Sequence, residues 1–231
     1  MKKSVLILIT MFAMFTNAQE VKPIPMINVS GEGKIKVVPD QVSISISIES
    51  KGSNAVDVKK ENDTKMDAVL KFIKSMNLPK EDYQTQRISL NPNYDYEKKK
   101  HNYIASQTLD ILLKDLSKYD VLMEGLVNTG VNRIDNVQFK SSKLVQIQSD
   151  CRKLAVKDAK LKAEDFVSVL GQKVGKAITI TDNSQGYNPQ PIMYAAKTMM
   201  AMDSMNNGQQ ETIAAGQIEI IVNVSVGFIL E

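Results

Sequence analysis

"INVSGEGKIKVVPDQVSISISIES", residues 27–50, turns on the meaning of Gly31-Glu32-Gly33. A phosphate-cradling loop needs a glycine-rich turn that opens a helix, with backbone amides aimed at the anion. Here the glycines run into Lys34-Ile35-Lys36-Val37-Val38-Pro39, with no third glycine and no Gly-Lys-Ser/Thr. Glycine inside a strand marks a bulge or the close approach of another backbone. The strand reading is therefore the better one. Val42, Ile44, Ile46 and Ile48 alternate with Ser43, Ser45, Ser47 and Glu49, a half-buried strand with its hydroxyls towards water. Ile27, Val29, Ile35 and Val37 keep one parity, with Gly31 and Gly33 in the slots between. Val38-Pro39-Asp40-Gln41 reads as a turn, so the stretch predicts a long antiparallel hairpin.

Working outward, Val58, Met66, Val69, Ile73 and Met76 predict a helix over about 54–76, with Asn77 as a left-handed stop. Strands follow at 83–91 and 103–113, joined by a polar tip at 92–102. Asp115 can cap a short helix presenting Leu116, Tyr119, Leu122, Met123 and Leu126 inward, ended by Gly130. A strand at 131–140 places Val137 and Phe139 on one face. The longest helix, about 142–170, repeats Ile147, Cys151, Ala155, Ala159 and Ala163 every four residues, with Leu144, Leu154, Leu161 and Phe166 beside them. That small-residue stripe lets a helix lie close on a sheet. A strand at 174–181 and a closing strand with Ile218, Ile220, Val222, Val224, Val226, Phe228 and Leu230 at period two complete the chain. The order β-β-α-β-β-α-β-α-β-β predicts an α+β fold, antiparallel sheets with helices packed on one face. Residues 182–216 form a long stretch without period, the kind of insertion loop that is mobile or functional.

Met1-Lys2-Lys3, an apolar run from Val5 to Phe15 and Thr16-Asn17-Ala18 read as a secretory signal cleaved after Ala18, leaving residues 19–231 as the mature domain. The run falls short of the ~20 residues that span a bilayer. Losing Lys2 and Lys3 takes the formal charge from +3 to +1. A nucleic-acid partner calls for a strongly basic face, so nucleic acid is not expected. Cys151 is the single cysteine, so no internal disulfide can form.

Candidate chemistry is sparse. His101, the single histidine, stands beside three lysines on a hairpin tip and reads as solvated surface. Cys151 lies on the buried stripe and reads as a small core residue rather than a reactive thiolate. Lys98-Lys99-Lys100 can attract an anionic headgroup or an acidic partner, or simply keep the tip soluble. Glu81-Asp82 and Glu164-Asp165 are adjacent in sequence and point to different faces, which offers no acid–base pair. Met199, Met202 and Met205 repeat every three residues within 182–216. Thioethers are soft ligands suited to Cu(I), adaptable contact surfaces, and oxidisable groups.

Five segments in order resemble the SIMPL-domain family. "INVSGEGKIKVVPDQVSISISIE" resembles its V-S-G-E-G opening with a following P-D. "DYQTQRISLNPNYDY" resembles its D-x-x-T…L-x-P-x-Y segment, and "GVNRIDNVQF" its G-x-N strand. "CRKLAVKDAKLKAEDFVSVLGQKVGKAITITD" resembles its A-x-x-D-A-x-x-K-A helix, and "AAGQIEIIVNVSVGFIL" its closing strand. Asn102 before Tyr103, where glycine is usual, and Val226-Gly227-Phe228 depart from the pattern. The resemblance implies export, to the periplasm or in association with the outer membrane. It also implies assembly into ring-like or channel-like homo-oligomers and a link to oxidative-stress tolerance. It carries over no catalytic residue.

The expectation is a non-enzymatic exported module of the cell envelope. It assembles with itself or contacts an envelope protein or membrane surface. No catalytic, cofactor or metal residue is assigned; the alternative is a soft-metal or oxidant-handling protein, with Met199, Met202 and Met205 as Cu(I) candidates.

Overall fold

A computed structural model describes residues 24–97, 99–184, 190–191 and 214–231. In chain order its elements are β1 (Met26–Val37), β2 (Gln41–Gly52), α1 (Ala55–Ser75), β3 (Tyr83–Asp95), β4 (Lys100–Leu113), α2 (Tyr119–Asn128) and β5 (Arg133–Lys140). They continue with α3 (Leu144–Ser168), β6 (Val174–Asp182), the two-residue β7 (Gln190–Pro191) and β8 (Ile218–Leu230). The α+β class and the expected element order hold, with β7 added. The leader expected at 1–18 and most of 182–216, including Met199, Met202 and Met205, lie outside the described residues.

The expected β1–β2 hairpin does not form. β1 pairs antiparallel with β8 along its whole length, Ile27 opposite Phe228 and Val37 opposite Ile218. β2 lies in a second sheet, between β4 and β5. One sheet is thus ordered β1-β8-β6, with β7 also on β8, and the other β3-β4-β2-β5. Val38-Pro39-Asp40 carries the chain from one sheet to the other rather than reversing it within one. Period two fixes which side chains share a face and is silent on which strand lies alongside.

Each sheet buries one face under helices and has its own core. Val42, Ile44, Ile46 and Ile48 of β2 meet Leu109, Ile111 and Leu113 of β4. Met66, Val69 and Ile73 of α1 and Leu122 and Leu126 of α2 cover them. Val29, Ile220, Val222, Val224, Val226 and Phe228 meet Cys151, Ala155, Ala159 and Ala163 of α3. The ends of α1 follow the sequence signals. Asn54 accepts from the Val56 and Asp57 amides at 2.8 and 3.3 Å, and Asn77 sits at φ 57°.

The β3–β4 ribbon is longer than its sequence signal. Pro92–Asp95 and Lys100–Asn102, expected in a loop, continue the ladder with Tyr94 opposite His101. Proline is tolerated because, among the described strands, β3 lies at the edge of its sheet, where a missing N–H breaks no ladder bond on the outer side.

Candidate functional site

The glycine pair of β1 is a packing site. The β1–β8 register runs without a shift, so neither glycine marks a bulge. A Cβ built on Gly33 would stand 2.7 Å from the Ala155 amide nitrogen and overlap the Cys151 carbonyl oxygen outright. One on Gly31 would stand 2.6 Å from the Ala159 nitrogen and overlap the Ala155 carbonyl. Missing side chains on β1 and small ones on α3 bring helix and strand backbones into direct contact. Cys151 belongs to this contact. Its side chain is fully buried, its Sγ lies 3.3 Å from the Ile220 carbonyl oxygen, and burial pushes its thiol up from the ordinary value. It is the small core residue the sequence implied.

Leu154, Leu161 and Phe166, expected beside the stripe, are instead 42, 51 and 62% exposed. The stripe is made of residues too small to hold the helix away from the sheet. The larger side chains therefore ride on its flanks and outer surface.

The close approach lets α3 cover the open edge of β1. The Asp158 carboxylate accepts the Glu32 amide at 2.8 Å, and Lys162 Nζ donates to the Ser30 carbonyl at 3.2 Å. Asp158 and Lys162 also pair with each other at 2.7 Å. The Lys162 hydrogen bond and then the Glu32 amide hold the Asp158 carboxyl below its ordinary value. An edge strand's unpaired amides and carbonyls invite pairing with another chain, and here two side chains occupy them. Sequence reasoning missed this; the one available signal was the Asp158/Lys162 spacing of four.

The β3 edge is different. Ile88 and Leu90 are 59 and 40% exposed. Leu90 shares with Ala55 and Val56 of α1 a groove of about 620 Å³ between the helix and the strand, its remaining wall formed by Lys59, Lys60, Asp63, Thr64 and Asp67. On the opposite face of that sheet the expected row of solvated hydroxyls is only partly solvated. Ser47 is buried, sharing hydrogen bonds with Thr108 (2.8 Å) and Asp135. Arg133 ties Asp135 at 2.9 Å to Glu49 at 3.3 Å.

Two further polar anchors were not foreseen. Asn62, fully buried in α1, donates to the carbonyls of Ile48 at 2.9 Å and Ala105 at 3.2 Å, leaving its own oxygen unpartnered. At the crossing between sheets, the Asp40 carboxylate accepts the Ser142 amide at 2.7 Å and its hydroxyl. Burial opposes ionisation of Asp40, but the Ser142 hydroxyl and amide outweigh it and hold the carboxyl below its ordinary value.

His101 is exposed at the ribbon tip, its ring centroid 4.9 Å from that of Tyr94. Among the described residues no three His, Cys, Asp or Glu side chains gather as a metal ion would need, and no helix is long and apolar enough to cross a membrane.

Comparison with known proteins covers almost the same span. The family model SIMPL, described as "Protein of unknown function (DUF541)", matches residues 27–228. The chain is 26% identical over 221 residues to "Uncharacterized protein YggE" of Escherichia coli K12, covering 94% of this chain and 88% of that protein. It is 24% identical to the Edwardsiella ictaluri protein of the same name, covering 97% of this chain and all of the relative. To the "26 kDa periplasmic immunogenic protein" of Brucella melitensis it is 27% identical, covering 87% of this chain and 83% of the relative.

Proposed function

Because the chain belongs to the SIMPL family, and a relative of matching span is named for the periplasm, we propose that it is an exported, non-enzymatic module of the cell envelope. It assembles with further copies of itself, or adds a strand from an envelope partner, at an open sheet edge. One observation carries this reading. On the outer side of β1, Asp158 and Lys162 occupy the Glu32 amide and the Ser30 carbonyl, whereas among the described residues no strand pairs with the outer side of the thirteen-residue β3, where Ile88 and Leu90 are exposed beside the groove along α1. A strand laid along β3 gains backbone hydrogen bonds and sets alternate side chains into that groove. The basic leader with its apolar run supports export. The family resemblance adds a link to oxidative-stress tolerance.

Light scattering on the mature protein tests the assembly. The expected mass lies well above the 25.7 kDa of the full single chain. Ile88→Lys/Leu90→Lys, which puts charge on the edge, brings it down to the monomer with the fold intact. A wild-type protein that stays monomeric at high concentration overturns self-assembly. A deletion strain as resistant to peroxide as its parent sets the stress role aside.

A further inference from the structure

The β3–β4 ribbon outruns the helix that covers its base. The first turn of α1 lies at the level of Gly52, where Val58 packs, and Gly52 stands opposite Tyr103, which pairs with Pro92. Three more cross-strand pairs, Asn93–Asn102 to Asp95–Lys100, extend beyond it. That is roughly 10 Å of ribbon at about 3.4 Å per residue. No described residue from 91 to 104 is buried, so this length serves no core.

Its tip is built from rings and ammonium groups. Tyr94 meets Tyr96 edge-to-face, centroids 5.0 Å apart, and meets His101 at 4.9 Å. Tyr96 is 84% exposed. Lys99, in the left-handed region at φ 51°, and Lys100 are both exposed at the turn. Asp95 accepts the Glu97 amide at 3.2 Å within the same turn. Asp95 and Glu97 offset part of the cationic charge, so electrostatic attraction alone is weak here and the rings must contribute.

We propose that this tip rests on an anionic phospholipid surface. The lysines meet headgroup phosphates and the tyrosine rings enter the interfacial layer. Tyrosine favours that depth because one end of the ring is apolar and the other wet. Each lysine near an anionic surface raises partitioning about fivefold. A narrow protruding ribbon suits a flat, yielding partner better than it suits a small ligand, which needs a concave site. The inference goes beyond assembly at the β3 edge and does not depend on it.

Flotation with vesicles separates the two. The mature protein is expected to float with phosphatidylcholine vesicles containing phosphatidylglycerol, far less with pure phosphatidylcholine, and progressively less as salt rises. Lys99→Glu/Lys100→Glu lowers the partition coefficient at least about tenfold. Tyr94→Ser/Tyr96→Ser lowers binding at low and high salt alike. Lys74→Glu/Lys157→Glu, exposed on α1 and α3, controls for overall charge and leaves binding unchanged. Circular dichroism confirms that each variant is folded. The proposal fails if the wild type ignores anionic vesicles, or if the two lysine-reversed pairs bind alike. Retained vesicle binding by the monomeric Ile88→Lys/Leu90→Lys variant keeps the tip reading whatever becomes of assembly.

Discussion

A methyl group on Gly33 would collide with the backbone carbonyl of Cys151, 118 positions away in sequence. The neighbouring collision at Gly31 falls one helical turn further along α3, on Ala155 and Ala159. The two glycines are therefore matched to the small-residue stripe, and the pair sets the depth at which α3 lies on its sheet.

Gly31→Ala and Gly33→Ala each force the helix outward and are expected to cost about 3 kcal/mol, with the double substitution preventing stable folding. Gly125→Ala is a sharper comparison. There the obstacle is the ring of Phe72, a side chain that can swing aside, so its cost is expected to be smaller. Urea unfolding of the three single variants checks the order; equal midpoints would contradict the close-approach account.

Asp158→Ala and Lys162→Ala reopen the β1 edge. Both side chains are half in solvent, so each is expected to cost roughly 0.5–1 kcal/mol or less. The specific readout is hydrogen exchange at Glu32, whose amide loses protection when Asp158 is removed. An unchanged rate there rules out the cap.

The Cys151 thiol is expected to react with an aromatic disulfide reagent only as fast as the protein unfolds, because it is buried and its thiolate is disfavoured. Cys151→Ala should fold normally, with a loss of about 1 kcal/mol. Rapid labelling of the native protein would show that α3 lifts from the sheet.

Asp40 gives the crossing between sheets a pH dependence. Its carboxyl is held below the ordinary value, so the folded state binds its proton less readily than the unfolded chain does. The stabilisation is complete above the unfolded carboxylate value and is lost as pH falls through the folded one. Asp40→Ala should remove that component and raise exchange at the Ser142 amide at neutral pH. An acid-unfolding curve identical to wild type would count against it.

The local patterns were read directly from the chain. The strict alternation in β8 and β2, the four-residue stripe of α3 and the Asn54 and Asn77 ends of α1 are imposed within a few residues by backbone geometry. The placement of Cys151 in the core followed from the same periodicity, as did the rejection of a phosphate loop at Gly31–Gly33. Family membership was legible too, because its motifs stand in order along the chain.

Strand partnership was not. β1 keeps the same parity whether it pairs with β2 or with β8, so no residue in 27–50 could distinguish a hairpin from a crossing between sheets. Only the folded chain brings β8 to β1, and only then do Asp158 and Lys162 reach the Glu32 amide and the Ser30 carbonyl. The outer edge of β3, with which no described strand pairs, and the reach of its ribbon beyond β2 have the same origin. Which backbone groups are left without a neighbour depends on contacts between distant segments, and alternation along one strand carries no information about them.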